Sequence, residues 1–252
     1  MIDETLEMLY WFLSFARGSR CGPVLYVGSL NGKIVWEPWN ISALQPWKTG
    51  VYGWIDKRSI KTMAAMNQAF QGFTRIWTDD YWRPCLKQAI HWYTEVNRGA
   101  GGMEGSIALI QLALELICWA CLEESSPDKA IVKTFDKKRA DEKIRDTLKM
   151  LQIPDNIDNI FIVKEYLDKN ITDGTLKDGP RAISYLRNAI IHPMKEKRNK
   201  IYEADDEVKW NVKRIGLDYL ALALLKIIGY DGGYLSHISW REEQVPWATS
   251  AQ

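Results

Sequence analysis

The sequence predicts a mainly α protein, and three observations carry that reading. After residue 59, apolar residues recur at three- to four-residue spacing through most of the chain. The two most apolar stretches, 107–122 and 217–230, are broken by Gln111 and Glu115 in one and by Lys226 in the other, as buried helices of a soluble protein are. A strand signature occurs only near the start, where Asn31-Gly32 lies between the apolar runs 24–27 and 34–36 as a tight hairpin turn.

In chain order, residues 3–17 read as an amphipathic helix, with Asp3 as N-cap and Leu6, Leu9 or Tyr10, and Leu13 on one side. A chain opening directly in such a helix suggests a remnant of a longer architecture. Residues 18–23 break the pattern, the hairpin follows, and prolines and glycines keep 38–54 irregular. From Ser59 the spacing of Ile60, Met63, Phe70, Phe73 and Trp77 predicts a helix on a core. A second helix spans 81–96. Arg98-Gly-Ala-Gly-Gly102 is the best linker in the chain, so the sequence divides into a Trp-rich region, 1–102, and a helical domain, 103–252. Beyond it, 107–122 is apolar nearly all round and reads as a central helix. Charged amphipathic helices cover 141–151, closed by Pro154, and 158–168. Another runs over 180–192, with proline in its first turn and Pro193 after its end. The last, 208–228, is introduced by Asp205-Asp206-Glu207, acids that suit a helix N-terminus.

Composition narrows the function classes. A net charge of +1 over 252 residues gives no global field for nucleic acid, so such binding must rest on local patches. Asp3, Glu4 and Glu7 put acid where a secretory leader needs base. Four cysteines at irregular spacing suggest reduced thiols and a cytoplasmic, membrane-free location. Tryptophan is over-represented: Trp11, Trp36, Trp39, Trp47, Trp54, Trp77, Trp82 and Trp92 all precede residue 100. We expect them to form an aromatic core, the alternative being a platform for stacking nucleobases.

The chemistry concentrates in Tyr185-Leu-Arg187-Asn188-Ala-Ile-Ile-His192-Pro193. With three histidines in the chain, R-N-x-x-x-H is a specific pattern, expected by chance in roughly one chain in a hundred of this length. At 100° per residue Arg181, Tyr185, Asn188 and His192 share one stripe, opposite the apolar Ile183, Leu186 and Ile190. Arg187 lies at the stripe's edge. A guanidinium grips phosphate and stabilises added transition-state charge, and imidazole moves a proton near neutral pH. The 2′-hydroxyl of RNA is its own nucleophile, so Arg plus His suffices for metal-independent cleavage, and DNA is immune. Local chemistry equally allows a structural helix end, with His192 capping carbonyls and Arg187 paired with Glu115.

Residues 183–193 resemble the signature of HEPN domains, in particular the ApeA-like branch. The upstream apolar helix bearing Glu115, and Gly229-Tyr-Asp-Gly-Gly233 with Val245-Pro-Trp247 after the last helix, are similar to the ApeA-like pattern too. The resemblance covers about 105–248. It implies a HEPN-like helical bundle, usually a homodimer in which two Arg/His motifs share one groove. It also implies a metal-independent ribonuclease of toxin–antitoxin, CRISPR-linked or abortive-infection systems, acting in antiviral defence without a cofactor. On that basis Arg187 and His192 are catalytic, Asn188 supports them, and Glu115 orients Arg187, with Tyr185 a further supporting residue. RNA and an antitoxin or defence protein are the implied partners. The Arg187–His192 offset of about 140° round a helix fits a site shared by two chains.

Other signals are weaker. Lys195, Lys197, Arg198 and Lys200 form either an RNA-backbone strip beside the motif or a solvated loop. Lys137-Lys138-Arg139 reads as an exposed face. Cys118 and Cys121 have metal-ligand spacing but lie in the most apolar helix, where buried small hydrophobes are expected. His91 and His237 have no partners at a telling spacing. Gly18-Ser-Arg-Cys-Gly22 is too short, and lacks the lysine, for a phosphate loop. The reading from a different class is a non-catalytic helical module binding RNA, a nucleotide or a partner protein through the same groove.

Overall fold

A computed structural model describes the chain except residues 1, 25, 38–43, 46–52, 57, 58, 60, 126–128, 193 and 249–252, and the side chains of 124, 125, 129–131 and 198. The described residues form helices α1 (Ile2–Arg17), α2 (Thr62–Trp77), α3 (Trp82–Arg98), α4 (Gly102–Ser125), α5 (Lys129–Asp136), α6 (Ala140–Met150), α7 (Phe161–Asn170), α8 (Gly179–Ile191), α9 (Lys195–Glu203) and α10 (Asp206–Ile227). Two antiparallel hairpins complete the fold: β1 (Gly28–Leu30) with β2 (Lys33–Trp36), and β3 (Gly233–Leu235) with β4 (Glu242–Gln244). The mainly α class holds.

Helix α4 is the axis. It packs against α3, α10, α8 and α6. By length and composition alone it would cross a membrane, but its partners make it a core helix. It meets α10 tightly at Gly216, where a Cβ would lie 2.4 Å from Ile110 Cγ2. Glycine there lets the two helices approach, and any larger residue must push them apart.

The first hundred residues share this core. Trp54 is fully buried, with Phe15 at 5.7 Å and Tyr230 at 5.1 Å between ring centroids, and Phe15 also meets Tyr93 at 5.7 Å. Trp77 and Trp82 are buried, and Trp11 and Trp92 pack against the core. Trp36 instead stacks on Tyr26 in the first hairpin. Trp39 and Trp47, with most of the stretch expected to be irregular, lie outside the described residues. The linker at Arg98–Gly102 is a tight turn with Gly99, Gly101 and Gly102 at positive φ, and α3 and α4 pack together across it. The hydrophobic core is therefore continuous across residue 102.

Several elements differ from expectation. Asp3 lies in the first turn of α1, inside the helix, and not at its N-cap. The first hairpin strand begins at Gly28, not residue 24; its turn carries Asn31 at φ 52° and Gly32 at φ 74°, the geometry Asn-Gly favours. Met63 is 77% exposed and points away from the core, and Ile60 lies outside the described residues. Helices α5 and α9 and the β3–β4 hairpin had no expected counterpart. Residues 195–203 are helical, so the basic strip is not a loop.

Candidate functional site

Helix α8 is fixed at its start by a cap and an ion pair. The Asp178 side chain accepts from the Arg181 backbone N–H at 2.9 Å, Pro180 occupies the first turn, and Arg145 pairs with the same carboxylate. Burial works to raise the nearby Asp141 carboxyl, but the Arg139, Arg181 and Arg145 guanidiniums outweigh it and hold the group below its ordinary 3.8. The apolar stripe is as expected: Ile183 and Leu186 are buried and Ile190 packs against the core.

The other end of α8 is polar and open. His192 is the C-cap residue, its backbone N–H donating to Asn188 O at 3.2 Å and its own carbonyl accepting from Met194 N at 2.8 Å. Its imidazole is exposed and, among the described residues, makes no hydrogen bond. Pro193, expected to end the helix, lies outside the described residues. Asn188 is exposed, and its Oδ1 accepts from Arg187 Nη1 at 3.3 Å. Arg187 is half-buried, and its Nε–H is buried without an acceptor. A buried, unpaired guanidinium N–H costs stability until an acceptor arrives. The Arg187 and Asn188 side chains are thus joined, while the His192 imidazole stands one turn further along with no side-chain bond to either.

The supporting residues have other partners. Glu115 accepts from Gln111 Nε2 at 2.6 Å and forms no ion pair with Arg187. Tyr185 donates to Asn170 O at 3.4 Å and packs edge-on to Tyr166. Lys200 Nζ lies 4.8 Å from the Tyr185 ring centroid, and Lys200 O accepts from Tyr166 Oη at 2.8 Å. Burial pushes the Tyr166 phenol above its ordinary range, so it remains a donor at this joint. Tyr185 and Lys200 therefore fasten α9 over α8. Lys195 is exposed, Lys197 half-exposed, and neither pairs with an acid among the described residues. The Arg198 side chain lies outside them.

The remaining histidines have partners the sequence hid, because those partners are far away in the chain. His91 Nδ1 lies 3.1 Å from Arg20 Nη2, which also donates to Glu95. His237 is buried, its Nε2 3.2 Å from Tyr93 Oη and its Nδ1 3.7 Å from Asp218 Oδ1. Cys118 and Cys121 are buried in α4, and burial pushes the Cys118 thiol up to about 12, which removes it as a nucleophile.

Comparison with known proteins gives the family. The YopA C-terminal domain matches residues 79–246, and the YopA central domain matches residues 1–50. A protein of Bacillus subtilis (strain 168) described as "SPbeta prophage-derived uncharacterized protein YopA" is 26% identical over 255 residues. That alignment covers 98% of this chain and 54% of the relative, so the chain spans about half the relative's length. No solved structure matches. With about two thirds of its residues under the C-terminal model, the chain belongs to the YopA C-terminal domain family.

Proposed function

We propose that this protein is a cytoplasmic, metal-independent endoribonuclease of HEPN type, working as a toxin or anti-phage defence effector. The observation that carries the reading is the open end of α8, where a guanidinium with a buried, unpaired N–H is bonded to an exposed amide and an exposed, unengaged imidazole follows one turn further along the helix. Their free polar atoms support a reading in which they receive an incoming phosphate. The description of the Bacillus relative as prophage-derived suits a role in conflict between phages and their hosts.

The chemistry follows from the residue types. Neutral His192 takes the proton of a 2′-hydroxyl as O2′ attacks phosphorus, and the P–O5′ bond breaks. Arg187 holds the non-bridging oxygens, whose charge grows in the transition state, and Asn188 fixes the guanidinium. The leaving 5′-oxygen needs a proton, which His192 of a second copy supplies. A two-fold dimer meets that need. The outer stripe of α4, which packs beside α8, leaves Leu112 exposed between the half-exposed Leu109 and Leu116, and Ile191 is exposed at the end of α8. We place the dimer contact on these residues.

The test is the product. Single-stranded RNA should yield 2′,3′-cyclic phosphate and 5′-hydroxyl ends, and a strand with one 2′-deoxynucleotide at the cleavage position should resist. Sedimentation at micromolar concentration should give a dimer. Cleavage of the deoxy-substituted strand would overturn the mechanism, and an active monomer would overturn the shared site.

A further inference from the structure

We propose that the outward face of α9 is a binding site for single-stranded RNA, with the Tyr202 ring stacking on an unpaired base. The inference rests on the ribonuclease reading for its substrate, but its binding test needs no cleavage.

Helix α9 begins three residues after His192, so a strand held at the motif can continue along it. At 100° per residue, positions 195, 198, 199 and 202 fall on one face, and Glu196 and Glu203 fall together on the neighbouring one. Lys195, Asn199 and Tyr202 are exposed, and Tyr202 is 78% exposed. The inner side is already committed, with Lys200 over Tyr185 and its carbonyl bonded to Tyr166. The basic residues therefore divide: Lys200 holds the helix down, and Lys195 is left for a ligand. Between His192 and this face stands Met194, 63% exposed, an apolar step beside the imidazole.

An ammonium, an amide and a phenol ring on one helix face match the parts of a single strand. Lys195 attracts phosphate, Asn199 bonds a base edge or a ribose hydroxyl, and Tyr202 offers a π-face. From Lys195 to Tyr202 is about 10 Å at 1.5 Å per residue. That spans about three nucleotides at a stacked rise of about 3.4 Å. Bases in a duplex are stacked on each other and cannot use the ring, so the face selects unpaired RNA. The isolated aromatic among polar groups is not the contiguous apolar patch a protein interface needs.

The test uses the full chain carrying His192→Ala, so that RNA is not cut, and a fluorescein-labelled single-stranded RNA decamer followed by anisotropy. Tyr202→Ala should weaken binding about tenfold or more, within the range for losing one stacked base. Tyr202→Trp should restore it, and an abasic strand should not distinguish the three. Lys195→Ala should weaken binding across sequences and flatten its salt dependence. Equal binding by Tyr202→Ala overturns the inference; if the unmutated chain still cleaves RNA in EDTA, the ribonuclease reading survives. Failure of the unmutated chain both to bind and to cleave overturns both. A shift from dimer to monomer on Tyr202→Ala, with RNA affinity unchanged, would make the face a protein contact and also overturn it.

Discussion

Two polar clusters in this molecule use the same residue types to opposite ends. Around His237 the side chains of Tyr93, Asp218, Tyr234 and His237 itself are buried and in contact with one another. Its backbone N–H donates to Asp218 Oδ1 at 2.7 Å, Tyr234 donates to Asp218 Oδ2 at 3.3 Å, and Arg214 donates to the carbonyls of His237 and Ile238. These bonds tie the β3–β4 hairpin to α10 and, through Tyr93, to α3. At the end of α8 an arginine and a histidine stand only five residues apart in the chain, but the imidazole is exposed and the guanidinium keeps an unused donor. The difference separates a histidine that holds the fold from one that is available for chemistry. Each half of that contrast can be broken separately.

The largest expected effect is catalytic. Arg187→Ala and His192→Ala should each slow RNA cleavage at least about a hundredfold, the scale of losing a charge stabiliser or general base. Their urea midpoints should move little, because neither side chain forms an ion pair among the described residues. The buried cluster should respond in reverse. Asp218→Ala leaves the Tyr234 hydroxyl and the His237 N–H without their acceptor, and should cost about 3–5 kcal/mol by urea denaturation. A stable Asp218→Ala chain would show that the contrast drawn from burial is wrong.

Truncation sharpens the same comparison. The glycine-rich break at 98–102 looks like a boundary in sequence, yet Trp82, Leu86, Ile90 and Tyr93 of α3 are buried in the common core. A chain begun at Met103 exposes the apolar face of α4 that α3 covers. It should lose near-ultraviolet circular dichroism and a cooperative melt. A sharp melt would restore a boundary at residue 102.

A smaller effect concerns acid. The Asp141 carboxyl is held below its ordinary value in the folded chain, so its contribution is present above about pH 4 and is lost as pH falls through the folded value. Asp141→Asn should therefore be less stable than the parent at neutral pH, with the gap closing below about pH 4. A gap independent of pH would remove the Arg139–Asp141–Arg181 network as its cause. Smallest of all, Lys87→Ala, which breaks an exposed pair with Glu7 between α3 and α1, should change stability by less than about 1 kcal/mol.

How much of this was legible in the sequence depends on where each residue's partner lies. Helix α8 was legible because its signals are local: a first-turn proline, an apolar stripe at helical spacing and a proline after its end. Helix α9 was not, because Lys-Glu-Lys-Arg-Asn-Lys carries no apolar period; it is held by Tyr166, 34 residues from Lys200. The β3–β4 strands are three residues each and depend on Arg214 and Asp218. Within the site, the motif spacing placed Arg187, Asn188 and His192 on one helix end. It gave no sign that Glu115 bonds Gln111, or that Tyr185 and Lys200 fasten α9, since those contacts depend on how the helices pack.

The measurement that bears most directly on the central claim is a single-turnover cleavage assay on single-stranded RNA in excess EDTA. It compares the unmutated chain with Arg187→Ala and His192→Ala. Cleavage by the unmutated chain, reduced at least about a hundredfold in both variants, is the predicted result. Cleavage that persists in both variants, or that appears only when magnesium is restored, would contradict the assignment of Arg187 and His192 as the catalytic pair.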